Sequence, residues 1–529
     1  MTQTPALPSE ITADVVVLGG GPVGENVAQY ATEGTDLTAV IVEAELLGGE
    51  CSYYACIPSK ALLRPLAVAD AAAHLPGLTT PGLEREALLA RRDDWVSHYD
   101  DSGQVQWAEG AGLQVVRGVG RLVGEREVLV EPVGPTAATR TALAPLRVHA
   151  RRAVVIATGS QAVIPPPLQE LEPWTSRDVT GVRDVPDELV IVGGGVVAVE
   201  AATWMAALGA TVTMLVRGDA LLAGMEPFAG EHVREALRAA GVTVALGTSV
   251  LSGEREDARA TGLGRIHGGR VRLQVEDADG RRAISADEIL AATGRRPALQ
   301  DVGLETVGLS AEDITAAGRA AGSEGSADRH AGTRPTDDRA AGDRATGDRA
   351  ADDPATGAPL PRWLHAVGDA SGEAPLTHWG KYRARVIGQA IRAGATGEQR
   401  EPVPGSVPVP QVVFTDPQVA SVGRTEAEAR EAGLDVVTAQ VPYGGAAGTA
   451  LLRDDVAGTA QLVVDQAAGT LVGATFVGPD ASELLHAATI AIVGQVPVHV
   501  LRHAVPSFPA ASELWLRLLE ELPAALRRG

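Results

Sequence analysis

Apolar positions in this chain gather into short continuous runs that end on glycines, and each such run predicts a buried strand feeding a helix. Asp14-Val15-Val16-Val17-Leu18 passes directly into Gly19-Gly20-Gly21-Pro22-Val23-Gly24, after which an amphipathic helical stretch begins. The next strand, Thr38 to Val42, ends at Glu43. The same order returns at Leu189-Val190-Ile191-Val192, which leads into Gly193-Gly194-Gly195-Val196-Val197-Ala198, a helix carrying Glu200, and a strand over Ala210 to Val216. Short apolar runs bounded by turn residues suit parallel strands covered on both faces. Toward the C-terminus, Ser512-Glu513-Leu514-Trp515-Leu516-Arg517-Leu518-Leu519 carries an apolar stripe suited to core or subunit contact.

The glycine spacing has a physical reading. In a strand, G-x-G-x-x-G, helix order the first glycine allows a tight turn, the second lets backbone approach a pyrophosphate, and the helix N-terminus then faces the phosphates. Gly19, Gly21 and Gly24 hold these positions in the first unit, and Gly193, Gly195 and Ala198 in the second. The acid Glu43, placed at the end of the second strand, can accept from ribose hydroxyls. The corresponding strand of the second unit ends without an acid and is followed by Arg217, which suits the 2′-phosphate of NADP better than the free hydroxyl of NAD. The expectation is an α/β chain with two Rossmann-type dinucleotide-binding domains, the second leaning to NADPH.

Cysteine usage names the chemistry. The only two cysteines in 529 residues are Cys51 and Cys56, inside Gly48-Gly49-Glu50-Cys51-Ser52-Tyr53-Tyr54-Ala55-Cys56-Ile57-Pro58-Ser59-Lys60. Helical residues five apart have Cα atoms roughly 8 to 9 Å apart, whereas a disulfide needs roughly 4.4 to 6.8 Å. The pair therefore closes only across an irregular turn entering a helix. Pro58 suits the first helical position, which leaves Cys56 near a helix N-terminus that favours a thiolate. A low-pKa thiol beside a partner thiol is a redox switch. A net charge of −22 argues against nucleic acid or an anionic membrane surface as partner. The first ten residues lack a basic start and an apolar stretch, and no apolar run reaches membrane-spanning length, so a soluble cytoplasmic protein is expected. Only two lysines occur, Lys60 and Lys381, and the first follows the cysteine pair.

Taken in order, these motifs resemble the class I pyridine nucleotide-disulfide oxidoreductases, among them dihydrolipoyl dehydrogenase, glutathione and mycothione reductases and mercuric reductase. The resemblance also rests on Ala157-Thr158-Gly159-Ser160, Ala292-Thr293-Gly294-Arg295, Ala366-Val367-Gly368-Asp369 and Val413-Phe414-Thr415-Asp416-Pro417. It implies FAD on the N-terminal unit, with Gly19, Gly21, Gly24, Glu43, Gly49, Lys60, Thr158, Gly159, Gly368 and Asp369 as binding residues. It implies NAD(P)H on Gly193, Gly195, Ala198, Arg217, Gly294 and Arg295, no bound metal, and a C-terminal α+β domain that makes a homodimer. Cys51, Cys56, Lys60, Glu200 and Glu513 would carry catalysis, with Lys60 and Glu200 paired near the flavin and Asp369 on its ribitol chain.

Departures from the family pattern matter as much. The usual Gly-Gly-Thr-Cys-x-Asn-x-Gly-Cys carries Glu50, Tyr53 and Ala55 here, which crowd and charge the surroundings of the disulfide. The family's His-Pro-x-x-Ser-Glu reads Phe508-Pro509-Ala510-Ala511-Ser512-Glu513, so the acid/base histidine is replaced while its glutamate stays. Loss of a positioned acid/base costs about 10² to 10⁴ in rate, which points to a quinone-like or other small-molecule acceptor. The alternatives are a disulfide reductase with a substitute proton donor (His503, His486, Tyr53 or Tyr54) and a non-catalytic flavin-binding subunit. No cysteine follows Cys56, which argues against the second thiol pairs of mercuric reductase and high-molecular-weight thioredoxin reductase.

The expected domains are a flavin domain over 11–170 and 295–395, a nicotinamide domain over 171–294, and a dimerisation domain over 403–529. No lipoyl-type domain is expected ahead of the first strand, near residue 11. Residues 313–360, low in complexity and rich in Gly, Asp, Arg and Ala, are expected to form a disordered surface insertion.

Overall fold

The computed structural model describes residues 10–133, 144–323, 360–404 and 407–528. They form two compact units. One comprises Met1–Cys51, Asp100–Gln161 and Arg296–Val407, and the other Ser52–Tyr99, Ala162–Arg295 and Pro408–Gly529.

The first unit is built on a seven-stranded sheet ordered Gln114–Arg117, Ala39–Glu43, Glu10–Leu18, Leu146–Ile156, Glu127–Glu131, Val119–Gly124, with Leu364–Ala366 pairing to Leu146–Ile156. The pairings around Glu10–Leu18 are parallel, in the register Val15 to Ala39 and Val15 to Ala153. Alternation along that strand divides the core. Val15 and Val17 face the helices Pro22–Thr32 and Thr377–Thr396, through Val27, Ala31, Ala384 and Ile387, while Val16 and Leu18 face Leu122, Val302 and Ile314. A strand covered on both faces must be apolar throughout, which explains the unbroken run.

The second unit holds a four-stranded parallel sheet, Thr243–Ala245, Thr211–Leu215, Glu188–Val192, Glu288–Ala291, and a three-stranded antiparallel meander over Ser249–Arg255, Val271–Asp277 and Gly280–Ala286. A five-stranded antiparallel sheet, ordered Gln411–Val413, Gln418–Gly423, Thr470–Gly478, Thr459–Asp465, Val436–Pro442, packs under the helices Ser482–Val493 and Glu513–Glu521. In the tail stripe Leu514, Leu518 and Leu519 are buried in that core, while Leu516 remains exposed.

Three expectations need correction. Residues 52–99, expected in the flavin domain, pack with the second unit and not with the strands of the first, because Leu62, Leu63 and Leu88 join one core with Trp174, Val199 and Ala202. The low-complexity stretch does not begin as an unstructured insertion: Ala311–Ser323 is a helix, with Ile314 and Ala317 buried. A Cβ on its Gly318 would stand 1.9 Å from the Ser371 carbonyl oxygen, so the helix is packed directly on backbone. The remainder of the expected insertion, 324–359, lies outside the described residues. Finally, the helix after the cysteines starts at Cys56 and not at Pro58. A proline is tolerated anywhere in a first turn, since the amide it lacks has no partner there. Among the described residues no helix is long and apolar enough to cross a membrane.

Candidate active site

In the first unit the strand Glu10–Leu18 ends at Gly19, whose φ of +105° belongs to glycine, and a Cβ there would meet the Ala157 carbonyl oxygen at 2.3 Å. Gly24 lies against that same turn: its Cβ would be 2.0 Å from the Gly19 oxygen. Gly21 caps the helix Pro22–Thr32, with Pro22 at the first helical position. Gly49, at φ +58°, passes so close that a Cβ would sit 2.6 Å from the Gly21 Cα. These approaches bring bare glycine backbone close around a helix N-terminus. That arrangement fits the pyrophosphate of a dinucleotide.

Glu43 stands beside this loop. Its Oε2 accepts from the Gly20 amide at 2.6 Å and its Oε1 from the Glu45 amide at 2.7 Å. Burial pushes its carboxyl up, and the two amides oppose that shift. An ionised carboxylate has about four acceptor sites, so two amides leave capacity for ribose hydroxyls. In the same unit the Thr158 hydroxyl donates to the Ala298 carbonyl at 2.7 Å, and Gly159, at φ +74°, has open space where a Cβ would stand. Gly368 lies at φ +69°, and the next residue, Asp369, accepts from the Ser160 hydroxyl. The residues read from the sequence as FAD ligands therefore converge here, apart from Lys60, which belongs to the second unit.

The second loop repeats the geometry in the second unit. A Cβ on Gly193, at φ +136°, would meet the Ala292 oxygen at 2.2 Å, while Gly195 caps the helix Val196–Ala207 facing open space. Ala198 is fully buried where a small third residue lets helix and strand close. Arg217 is exposed just past the strand Thr211–Leu215. Gly294 takes φ +133° and its oxygen accepts from the Val163 amide at 3.0 Å. Arg295 donates to the Ser176 hydroxyl at 2.9 Å, a tie within the protein that its motif does not reveal.

Cys51 is the third residue of the short helix Gly49–Tyr53 and Cys56 the first of Cys56–Ala73, and both are half-buried. The helix start places Cys56 at the positive end of the macrodipole. Its approach is gripped from outside the helices. The Thr180 hydroxyl donates to the Tyr54 carbonyl at 2.8 Å, the Arg177 guanidinium lies 4.5 Å over the Tyr54 ring, and Tyr99 stacks on that ring at 5.7 Å. Tyr99 arrives through three consecutive residues of positive φ, Ser97, His98 and Tyr99, which no sequence signal announces. Four residues past Cys56, Lys60 Nζ bonds both carboxylate oxygens of buried Glu200, at 3.1 and 2.8 Å.

At the other end, Phe508 is 79% exposed. Glu513 turns to its own unit: its Oε2 accepts from the Gly448 amide at 3.1 Å. His503 and His486 are exposed and Tyr53 is buried. Sequence reasoning also missed Glu25, in the first turn of Pro22–Thr32, whose carboxyl is pushed up to about 7 by burial. An acid beside a glycine loop was its only signal.

The pyridine nucleotide-disulphide oxidoreductase family matches over residues 13–315, and the dimerisation domain of the same family over 409–518. The chain belongs to this family. Among its relatives, dihydrolipoyl dehydrogenase of Haloferax volcanii is 29% identical across 96% of this chain and 95% of its own length. Dihydrolipoyl dehydrogenase of Bacillus subtilis is 27% identical, with 96% of both chains covered. Mercuric reductase of Shigella flexneri is 28% identical over 92% of this chain and 77% of the relative. In fold the chain is similar to LpdA from Mycobacterium tuberculosis, at TM-score 0.74 and 22% identity with 97% of this chain and 100% of that one covered. The copper(II) complex of the flavoprotein disulfide reductase RclA from Escherichia coli aligns at TM-score 0.71 and 21% identity, over 96% and 99%. As a family member the protein is a flavin-dependent pyridine nucleotide-disulfide oxidoreductase that uses FAD and NAD(P)H, and the matched dimerisation domain supports a homodimer.

Proposed function

We propose that this oxidoreductase passes electrons from NAD(P)H to a quinone-like acceptor and not to a small disulfide. The observation that carries the reading is Phe508, exposed where the family pattern has a histidine, together with Glu513 engaged by the Gly448 amide. Bound FAD would supply the hydride-accepting and electron-passing chemistry. The chain's own residues would do the rest: the two glycine loops would hold pyrophosphates, Glu43 would accept from ribose, and Asp369 from the ribitol chain. Arg217, two residues past the end of its strand, favours a 2′-phosphate and hence NADPH. The N-terminal position of Cys56 supports a thiolate, and Lys60 with Glu200 keeps a compensated charge four residues from it.

Reduction of a disulfide substrate adds a demand. The Cys51 thiolate attacks one sulfur, the other sulfur departs as a thiolate that must be protonated, and Cys56 then resolves the mixed disulfide. A phenyl ring at position 508 cannot donate that proton. A second reading, a disulfide reductase with a substitute donor, draws support from the names of the relatives, several of them dihydrolipoyl dehydrogenases. The intact loops, cysteine pair and Lys60 with Glu200 weigh against a non-catalytic subunit.

Anaerobic reduction of the purified yellow protein with NADPH or NADH, followed by rapid mixing with lipoamide, a disulfide panel or a soluble quinone, tests the reading. Fast reoxidation by quinone alone is expected, and Cys51→Ser and Cys56→Ser should spare much of it. Turnover of any of the disulfides at tens per second would overturn the proposal in favour of the second reading.

A further inference from the structure

We propose that Phe414 is a positioning residue for the Lys60 and Glu200 pair, acting on both partners at once. The inference rests on the reading of that pair given above. Phe414 follows the strand Gln411–Val413 and lies between two buried residues, Val413 and Thr415. The Thr415 hydroxyl closes the turn by donating to the Pro417 carbonyl at 2.8 Å. This fixed segment makes two different contacts. Its backbone amide donates to Glu200 Oε1 at 2.9 Å, and its ring lies 4.7 Å from Lys60 Nζ.

The two contacts complement each other. Glu200 is buried, with its side chain 5% exposed, so both of its oxygens need donors; Lys60 supplies one to each oxygen and the Phe414 amide a further one to Oε1. Lys60, at 36%, is exposed enough to turn its ammonium into water on a flexible four-carbon stem. An aromatic face is the one apolar surface that attracts an ammonium while excluding water. The ring therefore keeps Lys60 on the carboxylate, while the amide keeps the carboxylate where the lysine reaches it. Phe414 is 214 residues from Glu200 in sequence, so the C-terminal part of the chain sets a geometry that the two helices Cys56–Ala73 and Val196–Ala207 alone leave open.

Side-chain replacement isolates the ring, because the amide survives it. In the flavin-loaded holoenzyme, Phe414→Leu should lower the rate constant of flavin reduction by NADPH about three- to tenfold, the range of one partly exposed cation–π contact. The midpoint potential of the bound flavin should shift in the same variant. Phe414→Tyr and Phe414→Trp retain a π face and should stay within about twofold of the parent. In a Lys60→Ala background, Phe414→Leu should have no further effect. A parental rate and potential in Phe414→Leu, or a loss that persists at full size without Lys60, would overturn the proposal while leaving the reading of the pair intact. Lys60→Ala with both readouts unchanged would overturn that reading, and the inference with it.

Discussion

Replacing Glu288 by glutamine tests how the four-stranded parallel sheet of the second unit is held. Glu288 and Arg255 are an ion pair with both side chains at 0% exposure. Arg255 Nη1 and Nη2 meet Oε1 and Oε2 at 2.7 and 2.8 Å, a fork that fits a carboxylate. The remaining capacity of each group is also used. Arg255 donates to the carbonyls of Gly269, Leu171 and Asp287, which accounts for all five guanidinium protons, and the carboxylate accepts from the amides of Ile289 and His267. Glu288→Gln leaves a buried guanidinium without its counter-charge and turns an NH₂ group toward donors. Breaking a buried pair from one side costs about 3 to 5 kcal/mol. Apolar replacement of both partners gives little relief, because three carbonyls and two amides would lose their partners at about 1 to 3 kcal/mol each. Because Glu288 opens the strand that leads into Gly294, NADPH binding should weaken along with stability. In urea or thermal unfolding of the holoprotein, the transition of the second unit should fall by at least about 5 °C, taking roughly 2 °C for each kcal/mol in a large domain. A transition within about 2 °C of the parent's would refute the reasoning, since no fully buried, fully bonded pair can be broken so cheaply.

Burial pushes the Glu25 carboxyl up to about 7, well above the usual carboxylate range, a difference equivalent to about 3 kcal/mol. A raised carboxyl contributes stability that is complete below its unfolded value and lost as pH climbs through about 7, so unfolding followed between pH 4.5 and 8 should show a decline that Glu25→Gln abolishes. Arg217→Ala should weaken NADPH binding about tenfold or more, as loss of a charge-assisted contact to phosphate requires, and leave NADH unchanged; equal losses for both cofactors, measured by fluorescence titration, would remove the 2′-phosphate reading. His98 holds φ +51° and ψ +31° with an exposed side chain, so His98→Gly should raise stability by about 1 kcal/mol in a urea melt.

The glycine loops were legible because their requirement is local: a strand must turn within three residues and admit a phosphate to bare amides, and only glycine or alanine at fixed spacing meets it. Cys51, Cys56 and the missing histidine at Phe508 were legible for a similar reason, since thiol and acid/base chemistry belong to residue types. The helix start was misread at Pro58 because any first-turn position accepts proline, and the choice of Cys56 depends on the Tyr54 to Ala55 break. Ala311–Ser323 was concealed by composition: its small residues look like linker until Gly318 meets the Ser371 carbonyl.

Sequence alone determined which glycine loops exist, where the only two thiols stand and that position 508 carries a phenylalanine. Tertiary structure alone decided that residues 52–99 belong with the second unit, that Glu513 holds the Gly448 amide, and that Phe414 meets a lysine and a glutamate lying hundreds of residues upstream. The physical division is one of range: backbone conformation and side-chain chemistry are properties of a few consecutive residues, whereas burial, and the partners a buried polar group requires, exist only once distant segments have closed around it.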